Sequence, residues 1–362
     1  MAYTLLLHGQ HAASVVPYQP LGSWIVPWRF EGFETEYRAL TSGTGLIDYS
    51  TQALIEVRGA NRMDFLHRIL TNDINRLTPG TGCRAALLTV SAKLIAEFLV
   101  LVDADAVWLL CDLEQVDAAV KTLIWYVFNE DVMCRSRERA MAVLAVQGPR
   151  TMDMLPRLFG PSLSLLRPGD HLMTKLGGTA VRVVRHTLTG GTGALCLVPA
   201  DEVKAVWTRL QELGAPELRL VGWEALNAAR IEAGIPWFGL DMDESNLLSE
   251  TGLEASTVSD TKGCYLGQEI IARLATYGSV AKKLVGLLID GADVPPSNSP
   301  ILYEGGKAGR LTSACVSPAL GRPIGMGYVR SGAYEPGTRV EILWGDRRVP
   351  SMVASRPLVA TG

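Results

Sequence analysis

Thr261-Lys262-Gly263-Cys264-Tyr265-Leu266-Gly267-Gln268-Glu269 is the stretch on which the reading of this chain turns, because packing alone explains its composition poorly. A cation, a flexible glycine, a thiol, an aromatic ring and an acid share one short segment. The residues behind it, Gln268–Leu274, read as helix, and a cysteine near a helix N-terminus and a cation has its thiolate favoured. Cys264 is also the one cysteine outside an apolar run. The plain alternative is a buried turn cysteine.

Upstream lies Asn227-Ala228-Ala229-Arg230-Ile231-Glu232-Ala233-Gly234-Ile235-Pro236-Trp237, a helical run carrying a charged pair just before a Gly-Ile-Pro break. Glu232 is either solvated at the helix end or faces a pocket walled by Trp237 and Phe238, where a carboxylate must find donors. Further upstream, strand and helix signals alternate irregularly. Ala53–Arg58, Ala85–Thr89, Ile95–Val102 and Val107–Cys111 read as strands from their β-branched and leucine content. A helix over Arg62–Leu70 is expected to be capped by Asn61, with Phe65, Leu66, Ile69 and Leu70 as its apolar stripe. A second unit begins near Met141 with the strand Met141–Val146 and runs through a hairpin turning at Thr189–Thr192. It continues into a helix capped by Asp201 and stopped by Gly214.

After Arg273 the composition shifts to short β runs punctuated by Pro295-Pro296, Gly305-Gly306 and Gly332. This places a boundary near 279 and predicts a small antiparallel barrel or sandwich over 279–362, after a domain at 1–278 subdivided near 140. The class is α+β.

The 362 residues carry 34 basic and 37 acidic side chains without runs, and no stripe could neutralise many phosphates, so nucleic acid is not expected as a partner. Met1–Gln10 lacks a basic n-region and no segment nears eighteen apolar residues, which argues against secretion and against a membrane span. The six cysteines are scattered without a CxxC pair, so neither a disulfide framework nor a metal site is expected, and Cys111, Cys134, Cys196 and Cys315 read as small buried hydrophobes in a reducing cytosol. Gly190-Gly191-Thr192-Gly193 lacks the Gly-Lys-Ser/Thr ending of a phosphate loop and reads as a hairpin turn. No serine sits in a nucleophile elbow, and the five histidines are isolated.

Lys262–Glu269 resembles the signature K-G-C-Y-x-G-Q-E of YgfZ-type folate-binding proteins, a branch of the glycine-cleavage T-protein superfamily. Arg230-Ile231-Glu232-Ala233-Gly234 is similar to the R-x-E-x-G motif of that superfamily, and Phe65-Leu66 through Leu70-Thr71-Asn72-Asp73 to its F-L-x-x-x-x-T-N-D helix. Gly45–Asp48, Thr189-Gly190, Gly309–Ser313 and Gly325–Val329 fall in the family's order, so the likeness spans nearly the whole chain.

The resemblance implies a ring of aminomethyltransferase-like α+β subdomains around a folate channel, followed by a small C-terminal antiparallel β-barrel. It implies tetrahydrofolate as the cofactor, Glu232 as the carboxylate that holds the pterin through paired N–H bonds, and Asn72, Asp73, Trp237 and Arg230 as further binding residues. Cys264 and Lys262 become the reactive pair, with iron–sulfur client or assembly proteins as partners in the cytoplasm. Two departures set this chain apart from working aminomethyltransferases. Ala96, in Leu94-Ile95-Ala96-Glu97, stands where T-proteins place the first of an acidic pair, and Leu188 stands where they usually have a tyrosine. The reading is therefore a folate-binding factor supporting iron–sulfur cluster assembly or repair. Its rivals are an aminomethyltransferase, or related one-carbon transferase, and a folate-binding scaffold without redox chemistry.

Overall fold

Two β-sheets with their helices and one closed barrel account for most of the chain in the computed structural model, which describes residues 2–13 and 16–360. The first sheet has five antiparallel strands, in spatial order Gly82–Leu88, Leu94–Val102, Val107–Asp112, Gln52–Arg58 and Met133–Ser136. Its strand interiors are apolar on the face that meets the helices Arg62–Ile69 and Val116–Trp125, so Phe65, Leu66, Ile69, Ala96, Phe98 and Leu123 join one core. The second sheet has six strands, in the order His171–Leu176, Thr179–Val184, Gly193–Pro199, Met141–Gln147, Thr44–Asp48 and Leu218–Leu220. The helices Thr151–Phe159 and Val203–Gly214 cover it; Val203, Val206, Trp207 and Leu210 are buried there at helical spacing.

The sheets are interleaved rather than split near 140. Thr44–Asp48 precedes every strand of the first sheet yet pairs with Met141–Gln147 of the second, Ile47 lying opposite Ala145. A further three-stranded sheet, Tyr3–Thr4, Trp24–Pro27 and Tyr18–Leu21, lies at the N-terminal end.

The barrel is closed by six antiparallel strands: Lys282–Ile289, Arg322–Arg330, Gly306–Ser317, Pro300–Tyr303, Arg339–Trp344 and Arg347–Ala354, the last returning to pair with the first. Closure leaves no open edge, and Leu287, Ile289, Ile301, Leu311, Val329 and Ile342 fill the interior. The α+β ring with a C-terminal barrel is thus present as expected.

Two expected caps differ. The Asn61 side chain does not cap its helix; its Oδ1 accepts from the backbone N–H of Asp131 at 2.9 Å, tying the helix start to a distant loop. Glu202 rather than Asp201 occupies the N-cap of Val203–Gly214, without a side-chain bond. Among the described residues no helix is long and apolar enough to cross a membrane.

Candidate functional site

The face of the first sheet that turns away from its helices floors a cavity of about 570 Å³. Register brings the floor together. Arg84 lies opposite Leu99, Leu99 opposite Leu110, and Asp112 opposite Gln52, and residues facing one another across antiparallel strands project to the same side. Glu97, two residues from Leu99, joins them. Tyr49, Trp237 and Phe238 supply aromatic wall, and His186, Leu188, Asn72 and Gln115 complete the polar and apolar lining used below.

Arg84 Nε donates to Glu97 Oε1 at 2.7 Å and its Nη2 donates to the same oxygen, so a charge-assisted pair fixes the carboxylate and Oε2 takes neither contact. Ala96, one residue earlier, is fully buried in the core behind the sheet. The expectation that Ala96 deprives the site of an acid is therefore corrected. Strand alternation puts Ala96 on the core face and gives the cavity position to Glu97.

Asp112 is the second acid in the cavity. Burial, and secondarily the nearby charge of Glu114, push its carboxyl up to about 7, while Gln52 Nε2 donates to its Oδ2 at 3.3 Å. Burial and the Arg84 guanidinium push His186 down to about 3, leaving a neutral imidazole. Desolvation raises the Tyr49 phenol above its ordinary value; its ring stacks on Trp223 at 5.7 Å, and Trp223 meets Trp237 edge-on at 5.2 Å.

Because the unfolded Asp112 titrates near 3.8, the native state binds more protons between there and about pH 7. Stability must then fall as pH rises through that window. Asp112→Asn removes the term, so the variant should melt above wild type at pH 8, by about 2–4 kcal/mol at most, and alongside it at pH 3.5. Paired melting curves at the two pH values measure this. A constant difference between them would mean that Asp112 is ionised with an ordinary affinity for its proton.

The expected site residues are only partly brought together. Asn72 and Trp237 line the cavity. The Asn72 side chain is held locally, its Nδ2 donating to the Arg84 carbonyl at 2.7 Å and its Oδ1 accepting from Asp73 N–H at 2.8 Å. Asp73 pairs with Arg76 at 2.9 Å and His67 at 3.3 Å and does not line the cavity. Arg230 is fully buried: it pairs with Asp241, donates to Ser313 Oγ at 2.7 Å and Asn227 Oδ1 at 2.9 Å, and lies 4.5 Å from the Trp237 ring centre. It positions the wall and does not reach the cavity.

Glu232 lies elsewhere than expected. Its carboxylate accepts from Tyr37 Oη at 2.7 Å, from Ser317 Oγ and from Ala319 N–H at 3.4 Å, and its carbonyl accepts from Leu358 N–H at 2.8 Å and Val359 N–H at 3.0 Å. These donors lie on the helix Phe33–Ser42, the barrel and the C-terminal segment. Helical periodicity sends residue 232 toward the barrel, and Gly234, with φ of +68°, lets the chain reverse so that Ile235, Pro236, Trp237 and Phe238, and further on Met242, meet the cavity.

Lys262 and Cys264 also lie outside the cavity. The Lys262 ammonium is buried and donates to the carbonyls of His67, Leu70 and Asn72, the last at 3.1 Å; desolvation pushes it down to about 8. Lys262 thus clamps the signature loop onto the segment that carries Asn72. Gly267 holds φ of +83°, and a Cβ there would approach Thr89 O to 2.8 Å, so this turn requires glycine. Cys264 is exposed, while Cys111 and Cys196 are buried and Cys83, Cys134 and Cys315 are partly so.

Tyr49, Gln52, Arg84, Asp112, Gln115 and His186 escaped the sequence reading. The available signal was a charge within an apolar strand: Arg84 and Glu97 are the charged residues of Gly82–Leu88 and Leu94–Val102. Leu188 lines the cavity, where the other wall carries the aromatic surface.

The fold is one of interleaved sheets around a cavity, followed by a closed barrel. Residues 7–261 match the GCVT N-terminal domain and residues 282–359 the glycine cleavage T-protein C-terminal barrel domain, and the chain belongs to the glycine cleavage T-protein family. It is 27% identical to a protein named aminomethyltransferase of Synechococcus sp. (strain CC9311), over 92% of each chain. It is likewise 27% identical to one of that name from Desulforamulus reducens, over 97% of this chain and 96% of that one. The fold matches the glycine cleavage system aminomethyltransferase T of Bartonella henselae with a TM-score of 0.89 at 22% identity, covering 99% and 98% of the two chains.

Proposed function

We propose that this chain is a folate-dependent one-carbon transferase of the aminomethyltransferase type, which binds tetrahydrofolate in the central cavity and uses Glu97 for acid–base work. The observation that carries this reading is the Glu97 carboxylate, which faces the cavity and is fixed by Arg84. Tetrahydrofolate supplies the accepting nitrogens. Glu97 takes the proton that one accepting nitrogen loses as it bonds to the methylene carbon and returns it to the departing ammonia, while the proton of the second nitrogen goes to the carrier thiolate released as the C–S bond breaks. Arg84 holds the Glu97 carboxylate in place, and Tyr49, Trp237 and Phe238 exclude water and cover a flat ring system. A cavity of about 570 Å³ is in the size range of cofactor sites. Relatives named aminomethyltransferase that align over nine-tenths of the chain support the same reading. The test is an assay of the purified protein with a lipoylated carrier protein bearing the aminomethyl group and with tetrahydrofolate. Turnover is expected, and its absence under saturating folate would overturn the assignment.

The exposure of Cys264, on a loop anchored by the buried Lys262 ammonium, favours a second reading in which the folate-loaded protein supports iron–sulfur enzymes. One thiol cannot hold a cluster that wants about four thiolates, so Cys264 would act with a client or assembly protein. Cys264 should be the fastest of the six cysteines to react with iodoacetamide at pH 7, because burial pushes the Cys83, Cys196 and Cys315 thiols up to about 12. Mass-spectrometric mapping of the alkylated sites decides this. Under the second reading, deletion of the protein should lower iron–sulfur enzyme activity and Cys264→Ser should fail to restore it; under the first, deletion should leave that activity at the wild-type level.

A further inference from the structure

We propose that Arg356 is a positioning residue for the central cavity, acting from outside it: its guanidinium brackets the Gly234 turn to the helix Leu248–Thr251 and so sets where the wall Ile235–Phe238 stands. The inference goes beyond the folate reading, on which only the binding part of its test rests.

A second cavity, of about 460 Å³, lies between the first barrel strand and the segments 233–236 and 252–256. Arg84, Ile235, Pro236 and Ser256 line both cavities, so the turn after Gly234 is a partition between them. Arg356 stands on the outer side of that partition. The chain reaches it on leaving the last barrel strand, Arg347–Ala354.

The bonds that Arg356 makes are to carbonyls only. Its Nη1 donates to Gly234 O at 3.0 Å and its Nη2 to Thr251 O at 2.6 Å. Both acceptors belong to helix ends, Gly234 just past Trp223–Glu232 and Thr251 the last residue of Leu248–Thr251. The last carbonyls of a helix have no donor within it and carry partial negative charge, so one cation placed between two such ends satisfies both. Burial pulls the pKa of Arg356 below the ordinary guanidinium value, and these two carbonyls offset that cost. The fit is close: a Cβ at Gly234 would come within 2.6 Å of Arg356 Cβ, and one at Gly252 would strike its Nη2. Two residues further on, Leu358 N–H and Val359 N–H donate to Glu232 O at 2.8 and 3.0 Å, and the Leu358 side chain packs against the cluster of Ile231, Leu284 and Tyr328. The segment after the barrel is therefore fastened along the helix end, with Arg356 as its charged contact.

Each bracketed carbonyl leads directly into the central cavity. From Gly234 the chain runs into Ile235, whose N–H donates to Arg230 O at 2.9 Å, and on to Trp237 and Phe238. From Thr251 it runs to Leu253, which shares a buried cluster with Phe238, and to Ser256, which lines the cavity. Arg230 holds the wall from within the fold, and Arg356 holds it from the opposite side. A guanidinium whose donors go to these carbonyls is a bracket rather than a receptor for an anionic ligand.

The experiment compares wild type, Arg356→Met and Arg356→Lys by amide hydrogen exchange and by titration with tetrahydrofolate and with tetrahydropterin, which lacks the anionic tail. Arg356→Met keeps the stem beside Gly234 and loses both bonds, whereas Arg356→Lys restores a cation to the two carbonyls. In Arg356→Met the amides of Ile235 and Trp237 should exchange at least tenfold faster while the barrel strands keep wild-type protection. Both ligands should bind about tenfold more weakly, the scale of losing charge-assisted hydrogen bonds. In turnover the change should appear in KM and leave kcat near wild type. Arg356→Lys should recover most of the protection and of the affinity. Unchanged exchange at Ile235 and Trp237 would overturn the proposal, as would a loss of protection spread through the barrel, which would make Arg356 a general stability contact. An affinity loss confined to tetrahydrofolate would also overturn it, since the guanidinium would then meet the tail directly. If wild type binds neither ligand, the folate reading falls alone and the exchange pattern still decides the bracket.

Discussion

Replacing Glu97 by glutamine should lower the rate of aminomethyl transfer about 10²–10⁴-fold, the usual worth of one general acid–base group. Tetrahydrofolate affinity should change little. Glutamine keeps the shape and one carbonyl acceptor for Arg84, so the floor of the cavity stays closed while the proton acceptor is gone. The loss should fall on kcat and leave KM near wild type. A drop confined to KM would make Glu97 a binding residue, and full retention of rate would remove it from the chemistry. Ala96→Asp is the complementary change: it forces a charge into the core between Phe98 and the helices and should destabilise the fold without raising the rate.

Arg230→Met should cost about 3–5 kcal/mol of stability, because it strands the Asp241 carboxylate in the interior without its partner. Both side chains are fully buried, and Asp241 keeps only neutral donors from Thr312 Oγ1, Ser313 Oγ, both at 2.6 Å, and Trp237 N–H at 3.1 Å. These donors join the barrel to the loop after Gly234, so the weakened unit is the junction between the central helix and the barrel. Arg230→Met with Asp241→Leu should be less destabilising than Arg230→Met alone, since the orphaned charge is removed along with its partner. Denaturant melts of the two proteins give the comparison. A single-variant loss below about 1 kcal/mol would mean that water or the hydroxyls already satisfy Asp241. The same variant removes the guanidinium from the Trp237 face and should loosen that cavity wall, raising KM for folate more than it lowers kcat.

The sequence by itself determined the α+β class, the C-terminal barrel and the positions of most strands, because period-two patterning and turn residues are local signals. The strand expected over Ile95–Val102 runs from Leu94 to Val102, and the one expected over Met141–Val146 ends a residue later at Gln147. Sequence patterning also located two polar motifs, but not the contacts their side chains make. Lys262 looked like the activator of Cys264 from its spacing, yet its ammonium is spent on three carbonyls of the segment ending at Asn72, a contact across some 190 positions that no local pattern encodes. Sequence alone left Glu232 either solvated at the helix end or facing a pocket, because its partners Tyr37 and Ser317 lie far away in the chain. The cavity acids were hidden for the opposite reason. Glu97 and Asp112 are ordinary residues in ordinary strands, and they become a site only when register aligns Arg84, Leu99, Leu110, Asp112 and Gln52 on one face. Register follows from long-range strand pairing, and a shift of one residue would have sent Glu97 into the core and Ala96 into the cavity.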